Sequence, residues 1–222
     1  MKTVVITGTT RGIGRALANK FLNKGFRVIG TATSGKTDIN DTNFSVVKLD
    51  YLDPKSIEKA AKEITNMAPQ IDILINNSGI NLEDWNFVEV RMATLRKTLE
   101  VNLLGLIDFT ETLVGKVSKK GQILNISSRL GSLTLKATNN SADNPSYRIS
   151  KAALNMYTKV LAARLEKQGV IVSAVHPGWV KTEMGGDEAP MKPEESAEKI
   201  FKLATSSHKT GKFWFDGKEF PW

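Results

Sequence analysis

The chain has 222 residues and a net charge of +8, from 31 lysine and arginine residues against 23 aspartate and glutamate residues. This length predicts one large α/β domain rather than two. Disulfide bonds, thiolate chemistry and cysteine-ligated metal sites are excluded because there is no cysteine. The basic residues are scattered, which favours a solvated surface over a nucleic-acid-binding face.

The first predicted elements are a buried strand and an amphipathic helix. The apolar run Val4–Ile6 indicates the strand, and apolar residues recur at helical spacing from Ile13 to Leu22, with Gly25 as the expected stop. Because the strand begins near residue 2, we expect no signal peptide. No apolar run approaches the roughly 18 residues of a membrane span, so a cytoplasmic protein without membrane contact is expected.

Strands and helices alternate along the rest of the chain. The sequence predicts further strands over 26–31, 44–49, 71–75, 121–127, 170–175 and 212–215. It predicts helices that start at Asp53-Pro54, cover 84–99, 100–117 and 194–205, and run from Pro145 to about Lys167, with Asp53 and Asn144 placed as caps. The expected fold class is therefore α/β: a single Rossmann-type domain over 1–222, whose mostly parallel seven-stranded sheet carries helices on both faces.

A glycine-rich turn joins the first strand to the first helix. Gly8, Gly12 and Gly14 would let the backbone approach a pyrophosphate, and the start of the helix offers free N–H groups. A tight turn without a ligand is the alternative. The strand before the turn and the helix after it favour a dinucleotide-binding site.

The end of the second strand indicates which dinucleotide binds. NAD-binding folds place a carboxylate there, but no acidic residue occurs before Asp38. Thr33 and Ser34 supply hydroxyl groups, and Arg11 supplies a guanidinium suited to a phosphate. We therefore expect NADP(H) to be preferred over NAD(H), while an exposed loop cation is the alternative for Arg11.

Tyr147 and Lys151 lie four residues apart, near the start of a predicted helix. A tyrosine, with an ordinary pKa of about 10, is a poor acid or base at neutral pH. A nearby ammonium would favour the phenolate and lower that pKa. The same spacing also occurs by chance on many helices.

Several other motifs occur in a fixed order around Tyr147 and Lys151. They are Thr7-Gly-Thr-Thr-Arg-Gly-Ile-Gly14, Asn76-Asn-Ser-Gly79, Asn102, Ser127-Ser128, Tyr147-x-x-x-Lys151 and Pro177-Gly178. In this order they resemble the short-chain dehydrogenase/reductase family over nearly the whole chain. The stretches Tyr147–Asn155, His176–Thr182 and Gly217–Trp222 resemble the sniffer-like carbonyl reductases and the C-factor signalling proteins.

The resemblance implies an NADPH-dependent reductase that converts an aldehyde or ketone into an alcohol. Tyr147 would be the general acid, Lys151 would lower its pKa and bind the nicotinamide ribose, and Ser128 would stabilise the carbonyl oxygen. Ser127 is the alternative to Ser128. Asn102 would hold a proton-relay water, with a packing asparagine as the alternative. A signalling or regulatory protein that binds NADP(H) and has incidental reductase activity is the alternative function.

The resemblance also implies a set of cofactor-binding residues, with no metal and a small carbonyl or alcohol as substrate. The set is Gly8, Thr10, Arg11, Gly12, Ile13, Gly14, Thr33, Ser34, Asp50, Tyr51, Asn77, Ser78, Gly79, Tyr147, Lys151, Pro177, Gly178, Val180 and Thr182. Asp50 would contact the adenine or serve as a turn residue, and Ser78 replaces the family's usual alanine.

Two loops are expected to shape the substrate pocket. The paired glycines Gly185 and Gly186 suit a flexible lid, where Trp179 would line the pocket or pack in the core. The stretch of sequence between Ser128 and Tyr147 is several residues longer than in the family's common form, which indicates an insertion over 132–144. This insertion would border the entrance or alter subunit packing, so a homo-oligomer, either a dimer or a tetramer, stays open.

Overall fold

The computed structural model describes residues 1–83, 87–135 and 143–222. In these ranges eight strands form one sheet, in the order β3-β2-β1-β4-β5-β6-β7-β8. The strands are β1 (Thr3–Ile6), β2 (Arg27–Ala32), β3 (Phe44–Lys48), β4 (Ile71–Asn76), β5 (Val117–Ile126), β6 (Ile171–Val175), β7 (Lys212–Phe215) and β8 (Lys218–Glu219). The first seven pair in parallel and β8 pairs antiparallel with β7. The predicted seven-stranded parallel sheet is confirmed, with one short strand added.

The added strand follows from a tight hairpin turn. Asp216 and Gly217 both have positive φ angles, 50° and 72°, which a two-residue hairpin of the primed type requires. The prediction that Lys212–Phe215 is the last strand was therefore wrong, although an Asp-Gly pair is a strong hairpin signal. The hairpin places the residues after β8 next to β7.

Six α-helices lie within the described residues. They are α1 (Gly12–Leu22), α2 (Pro54–Met67), α3 (Met92–Leu99), α4 (Gly105–Val114), α5 (Pro145–Leu165) and α6 (Pro193–Ala204). A π-helical turn, Glu100–Leu104, joins α3 to α4. The helix predicted over 84–99 begins only at Met92, and residues 84–86 lie outside the described residues.

Apolar side chains on alternate strand positions form two separate cores, one on each face of the sheet. Val5 packs in the core that includes residues of α2, α4 and α5, whereas Val4 and Ile6 pack in the core of α1 and α6. This follows from the two-residue period of a strand. The expectation of helices on both faces is confirmed.

The helix caps show where local sequence rules hold and where they fail. Asp53 caps α2 as predicted, because its side chain accepts a hydrogen bond from the Lys55 amide at 3.0 Å. The prediction that Asn144 caps α5 was wrong, since Asn144 has a left-handed backbone and makes no side-chain capping bond. Glu83 caps α5 from a distant loop instead, accepting from the amide of Ser146 at 3.1 Å and from its hydroxyl at 2.6 Å.

Candidate active site

Most of the predicted site residues lie at one edge of the sheet. The loops that follow β1, β4, β5 and β6 all leave the carboxyl ends of parallel strands. The strand order reverses between β1 and β4, and open α/β sheets bind ligands at such a point. The fold thus brings the glycine-rich turn, Asn77–Gly79, Ser127–Ser128 and Pro177–Gly178 to the same edge.

Gly8 and Gly14 allow a close approach between two loops. A Cβ atom on Gly14 would lie 2.0 Å from the Gly8 carbonyl oxygen and 2.5 Å from Nδ2 of Asn77. Gly8 has a φ of +72°, and a Cβ there would lie 2.7 Å from Oγ of Ser78. Both positions therefore require glycine, and they leave a bare backbone cradle beside the first turn of α1.

Thr7 connects the glycine-rich turn to the loop after β4. Its hydroxyl oxygen accepts hydrogen bonds from the amides of Asn77 and Ser78, both at 2.9 Å. In return, Nδ2 of Asn77 donates to the Thr7 carbonyl oxygen at 2.9 Å. Sequence patterns assigned Thr7 no role of its own, and its position directly before Gly8 was the only available signal.

The residues expected to bind a 2′-phosphate are exposed around the start of α1. Thr33 and Ser34 follow β2 directly, and the hydroxyl of Ser34 accepts from the Lys36 amide at 3.2 Å. Arg11 forms an exposed ion pair with Glu183, with 2.5 Å between Nη1 and Oε2. The acidic residue that follows β2, Asp38, pairs with Arg15 at 2.8 Å. Thr10, next to Arg11, is also exposed, and Ile13 is partly buried.

Tyr147 and Lys151 lie on successive turns of α5, with Nζ of Lys151 5.5 Å from the Tyr147 ring centroid. Burial lowers the pKa of Lys151 to about 8. Burial raises the pKa of Tyr147 to about 12, and a hydrogen bond with the Ser128 side chain opposes this rise. Loss of hydration is the larger of the two effects, and a lowering of the Tyr147 pKa by Lys151 stays a prediction.

The two adjacent serines after β5 have different surroundings. Ser127 is 1% exposed, and its hydroxyl donates to Oδ1 of Asn155 at 2.6 Å. Nδ2 of Asn155 donates in turn to the Gly131 carbonyl oxygen at 3.1 Å. Ser128 is partly exposed and bonds Tyr147, while its oxygen accepts from the Leu130 amide at 3.2 Å. The geometry therefore brings Ser128 to Tyr147 and gives Ser127 a structural partner that sequence reasoning missed.

Asn102 is fully buried in the π-helical turn and clamps the loop after β4. Its Oδ1 accepts from the Ile80 amide and its Nδ2 donates to the Ile80 carbonyl oxygen, both at 2.8 Å. Nδ2 also donates to Oγ of Ser150 at 3.1 Å. A Cβ on Gly79 would lie 3.3 Å from Oδ1 of Asn102 and 3.5 Å from Nζ of Lys151, so these three residues meet. A water held by Asn102 stays a prediction.

Asp50 and Tyr51 lie in the turn between β3 and α2. Oδ1 of Asp50 accepts from the Leu52 amide at 2.9 Å, which is the turn role left open by the sequence. Tyr51 is 5% exposed and packs edge-on against Phe109 in the core. Burial raises the pKa of its phenol above the ordinary value. The described geometry thus gives Tyr51 a packing role.

The loop after β6 lies over the start of α1. Gly178 has a φ of +92°, and the Pro177 carbonyl oxygen accepts from the Ser196 hydroxyl at 2.7 Å. Val180 is buried and bridges to Met191. The Thr182 methyl lies 3.2 Å from the place of a Cβ on Gly12, so this loop contacts the glycine-rich turn.

The tip of the same loop is compact. Nε1 of Trp179 donates to the Gly185 carbonyl oxygen at 2.8 Å. A Cβ on Gly185 would lie 2.0 Å from the Val180 carbonyl oxygen, so this glycine permits a close turn. Trp179 remains exposed, which makes core packing wrong for it. Most of the predicted insertion, residues 136–142, lies outside the described residues.

Among residues 1–83, 87–135 and 143–222, no three or more histidine, aspartate or glutamate side chains converge as a metal site would require. No helix in those ranges is long and apolar enough to cross a membrane. His176 stacks on Phe215 and His208 contacts Ser173, so both described histidines have structural partners.

Comparison with known proteins identifies relatives over most of the chain. The family model described as short chain dehydrogenase matches residues 2–193. The 3-oxoacyl-(acyl-carrier-protein) reductase FabG of Aquifex aeolicus is 38% identical over 194 residues, which covers 82% of this chain and 75% of that protein.

Two solved structures are similar along the full length. The carbonyl reductase Sniffer of D. melanogaster has a TM-score of 0.88 and 26% identity, with 100% of both chains covered. An NADPH-bound carbonyl reductase from chicken fatty liver has a TM-score of 0.90 and 27% identity, and the match covers 100% of this chain and 94% of that one. Both structural matches cover the whole of this chain.

Proposed function

Because the chain belongs to the short-chain dehydrogenase/reductase family, we propose that it is an NADPH-dependent carbonyl reductase that converts an aldehyde or ketone into an alcohol. The observation that carries this proposal is the convergence of Ser128, Tyr147 and Lys151 beside the glycine-rich turn. One domain would then hold both the cofactor and the catalytic groups.

The residues at the sheet edge fit a nicotinamide dinucleotide. The cradle at Gly8 and Gly14 would be filled by any Cβ, and α1 begins beside it with no acidic residue in its first turn. A pyrophosphate is favoured at such a helix start. Thr33 and Ser34 stand where NAD-binding folds carry a carboxylate, and the exposed guanidinium of Arg11, directly before α1, would serve a 2′-phosphate. The NADPH bound to the chicken carbonyl reductase supports the same preference.

Tyr147 is the proposed proton donor. Its pKa of about 12 keeps the phenol protonated at neutral pH, as reduction requires of the acid. NADPH, when bound, would supply a hydride to the carbonyl carbon. Tyr147 would give its proton to the carbonyl oxygen, so that the C=O group becomes an alcohol. Ser128 donates a hydrogen bond to the same oxygen and stabilises its developing charge.

Lys151 and Asn102 are proposed to support this step. Lys151, with a pKa of about 8, is mainly an ammonium at neutral pH and would bind the hydroxyls of the nicotinamide ribose. Asn102 holds Ile80 and thereby fixes the loop that borders Lys151 through Gly79. The part of the site that receives the nicotinamide would be lined by Pro177, Gly178, Val180 and Thr182.

A 3-oxoacyl thioester is the second candidate substrate. The 38% identity to the FabG protein of Aquifex aeolicus favours it. The net charge of +8 would also attract an anionic substrate or carrier. The chemistry at Tyr147 and Ser128 would be the same, since the reacting group is again a ketone.

A screen of NADPH oxidation distinguishes these substrates. Purified protein is assayed with aromatic aldehydes, diketones, quinones, steroid ketones and a 3-oxoacyl thioester, and each assay is repeated with NADH. We expect turnover of at least one carbonyl class with NADPH and much slower turnover with NADH. No turnover in any class would contradict the proposed function, and faster turnover with NADH would contradict the cofactor assignment.

A further inference from the structure

The aromatic segment Phe220–Trp222, which follows β8, touches a loop next to the candidate active site. The main-chain oxygen of Trp222 accepts hydrogen bonds from the amides of Leu133 and Thr134, at 2.9 and 2.8 Å. It also accepts from the Thr134 hydroxyl at 2.6 Å. Three donors from one loop therefore converge on a single oxygen of this segment.

The side chain of Trp222 anchors the segment to regular structure. Its ring stacks on Phe213 of β7, with centroids 5.6 Å apart and an interplanar angle of 27°. Nζ of Lys159, on α5, lies 5.4 Å from the Trp222 ring centroid. Phe213 is fully buried, so this anchor is held by the sheet.

Phe220 contacts a second loop of the site. Its ring lies 5.7 Å from that of His176, the residue directly before Pro177-Gly178. The Phe220 amide donates to the Phe213 carbonyl oxygen at 2.7 Å, which fixes the ring at this place. Burial lowers the pKa of His176 to about 4, so the imidazole is a neutral aromatic partner near neutral pH.

The loop held by Trp222 is joined closely to the catalytic groups. Ser128 caps the short helical turn Arg129–Gly131, and Leu133 and Thr134 follow that turn. A Cβ on Gly131 would lie 2.6 Å from the carbonyl carbon of Lys151, so the turn packs directly on α5. A shift at Thr134 would therefore be transmitted over a few residues to Ser128.

We propose that Phe220 and Trp222 are positioning residues of the active site, Trp222 for the loop after Ser128 and Phe220 for the loop after His176. This inference rests on the proposed carbonyl reduction. Irregular loops lose conformational entropy when they are ordered, and an anchor that orders them beforehand lowers that loss when substrate binds. The segment thereby sets the substrate KM, and most strongly for carbonyls with bulky substituents.

The test compares substitutions that weaken the anchor with one that does not. Trp222→Ala removes the stacking, and Phe220→Leu removes the ring against His176. Thr134→Val removes the hydroxyl bond to Trp222 together with the longer contact, 3.4 Å, to the Ser132 hydroxyl. Lys218→Ala, at an exposed residue of the same hairpin, is the matched control. Each variant is assayed for substrate KM, kcat, NADPH Kd and thermal unfolding, with the best carbonyl of the screen and a bulkier analogue.

We expect Trp222→Ala and Phe220→Leu to lower kcat/KM for the bulkier carbonyl by roughly tenfold, since small misplacements near a reacting centre are costly. The loss should appear mainly in KM, with an unchanged NADPH Kd, and Trp222→Phe should restore most of it. Thr134→Val should shift KM in the same direction by less.

Two results would overturn the positioning role. One is a lowered unfolding temperature with kinetic constants equal to those of Lys218→Ala. The other is a pair of results: Thr134→Val has the KM of the unsubstituted chain, and Trp222→Ala loses activity only because part of the protein is unfolded, with unchanged activity per folded molecule. Inactivity of the unsubstituted chain toward every carbonyl would instead refute the proposed function.

Discussion

Nζ of Lys151 donates a hydrogen bond to the main-chain oxygen of Ile126 at 2.7 Å. Ile126 ends β5 and directly precedes the two adjacent serines, so this bond ties the second turn of α5 to the strand that leads to Ser128. Lys151 is 3% exposed, and such a buried bond to a charged group is strong. The relative position of Tyr147 and Ser128 therefore depends on the same ammonium that is proposed to bind the cofactor.

Replacing Tyr147 tests the proposed acid. Tyr147→Phe keeps the ring and removes the proton donor, so we expect kcat to fall by at least about a hundredfold. NADPH binding and thermal unfolding should be unchanged, because the ring still packs beside Lys151. Steady-state kinetics and a fluorescence titration with NADPH measure the two effects. Turnover close to that of the unsubstituted chain would refute the role of Tyr147.

Ser127 and Ser128 form a matched pair for the second prediction. Ser128→Ala should lower kcat by roughly a hundredfold, since it removes a donor to the carbonyl oxygen. Ser127→Ala should instead lower the free energy of unfolding by about 1–3 kcal/mol, because Oδ1 of Asn155 is left buried without its donor. Denaturant unfolding and steady-state kinetics on both variants measure the free energy of unfolding and kcat. The reversed pattern would make Ser127 the catalytic serine.

The buried ammonium of Lys151 gives the third prediction, a dependence of stability on pH. Its pKa is about 8 in the folded chain and 10.5 ordinarily, so the unfolded chain binds more protons between these values. The free energy of unfolding should therefore rise with pH across this window, by at most about 3 kcal/mol from this group.

A substitution isolates that contribution. Lys151→Met should flatten the rise between pH 8 and 10.5, whereas Lys167→Met, at an exposed position, should leave it intact. Above pH 10 the stability should fall again, because burial raises the pKa of Tyr51, Tyr147 and Tyr157 and the folded chain therefore keeps their protons to higher pH than the unfolded chain. Denaturant unfolding at several pH values measures these slopes. Equal slopes in the two variants would show that Lys151 is not the group responsible.

The exposed ion pair of Arg11 and Glu183 gives the fourth prediction, on cofactor choice. Arg11→Gln should weaken NADPH binding by about tenfold, because one hydrogen bond to a charged group is lost. NADH binding should be unchanged. Glu183→Gln should have the opposite sign and tighten NADPH binding by up to about fivefold, because an exposed ion pair that competes for Arg11 is removed. Titrations with both cofactors test this, and equal effects on NADPH and NADH would exclude a 2′-phosphate contact.

Local patterns carried the prediction of the elements. The Asp53-Pro54 pair placed the start of α2 correctly because the capping carboxylate and the amide that donates to it lie two residues apart. The glycine spacing placed the turn after β1, and helical periodicity placed Tyr147 and Lys151 on successive turns. Asn144 does not cap α5 with its side chain, because the carboxylate of Glu83, which is distant in sequence, accepts the hydrogen bond from the Ser146 amide instead.

The sequence by itself determined the α/β fold, the order of strands and helices, and the residue types offered at each loop. These features depend on interactions between residues a few positions apart. The tertiary structure alone decided that the Ser127 hydroxyl donates to Asn155, that burial raises the pKa of Tyr147, and that Trp222 holds Thr134. Those outcomes depend on hydration and on contacts between distant segments, which exist only once the sheet and its helices have assembled.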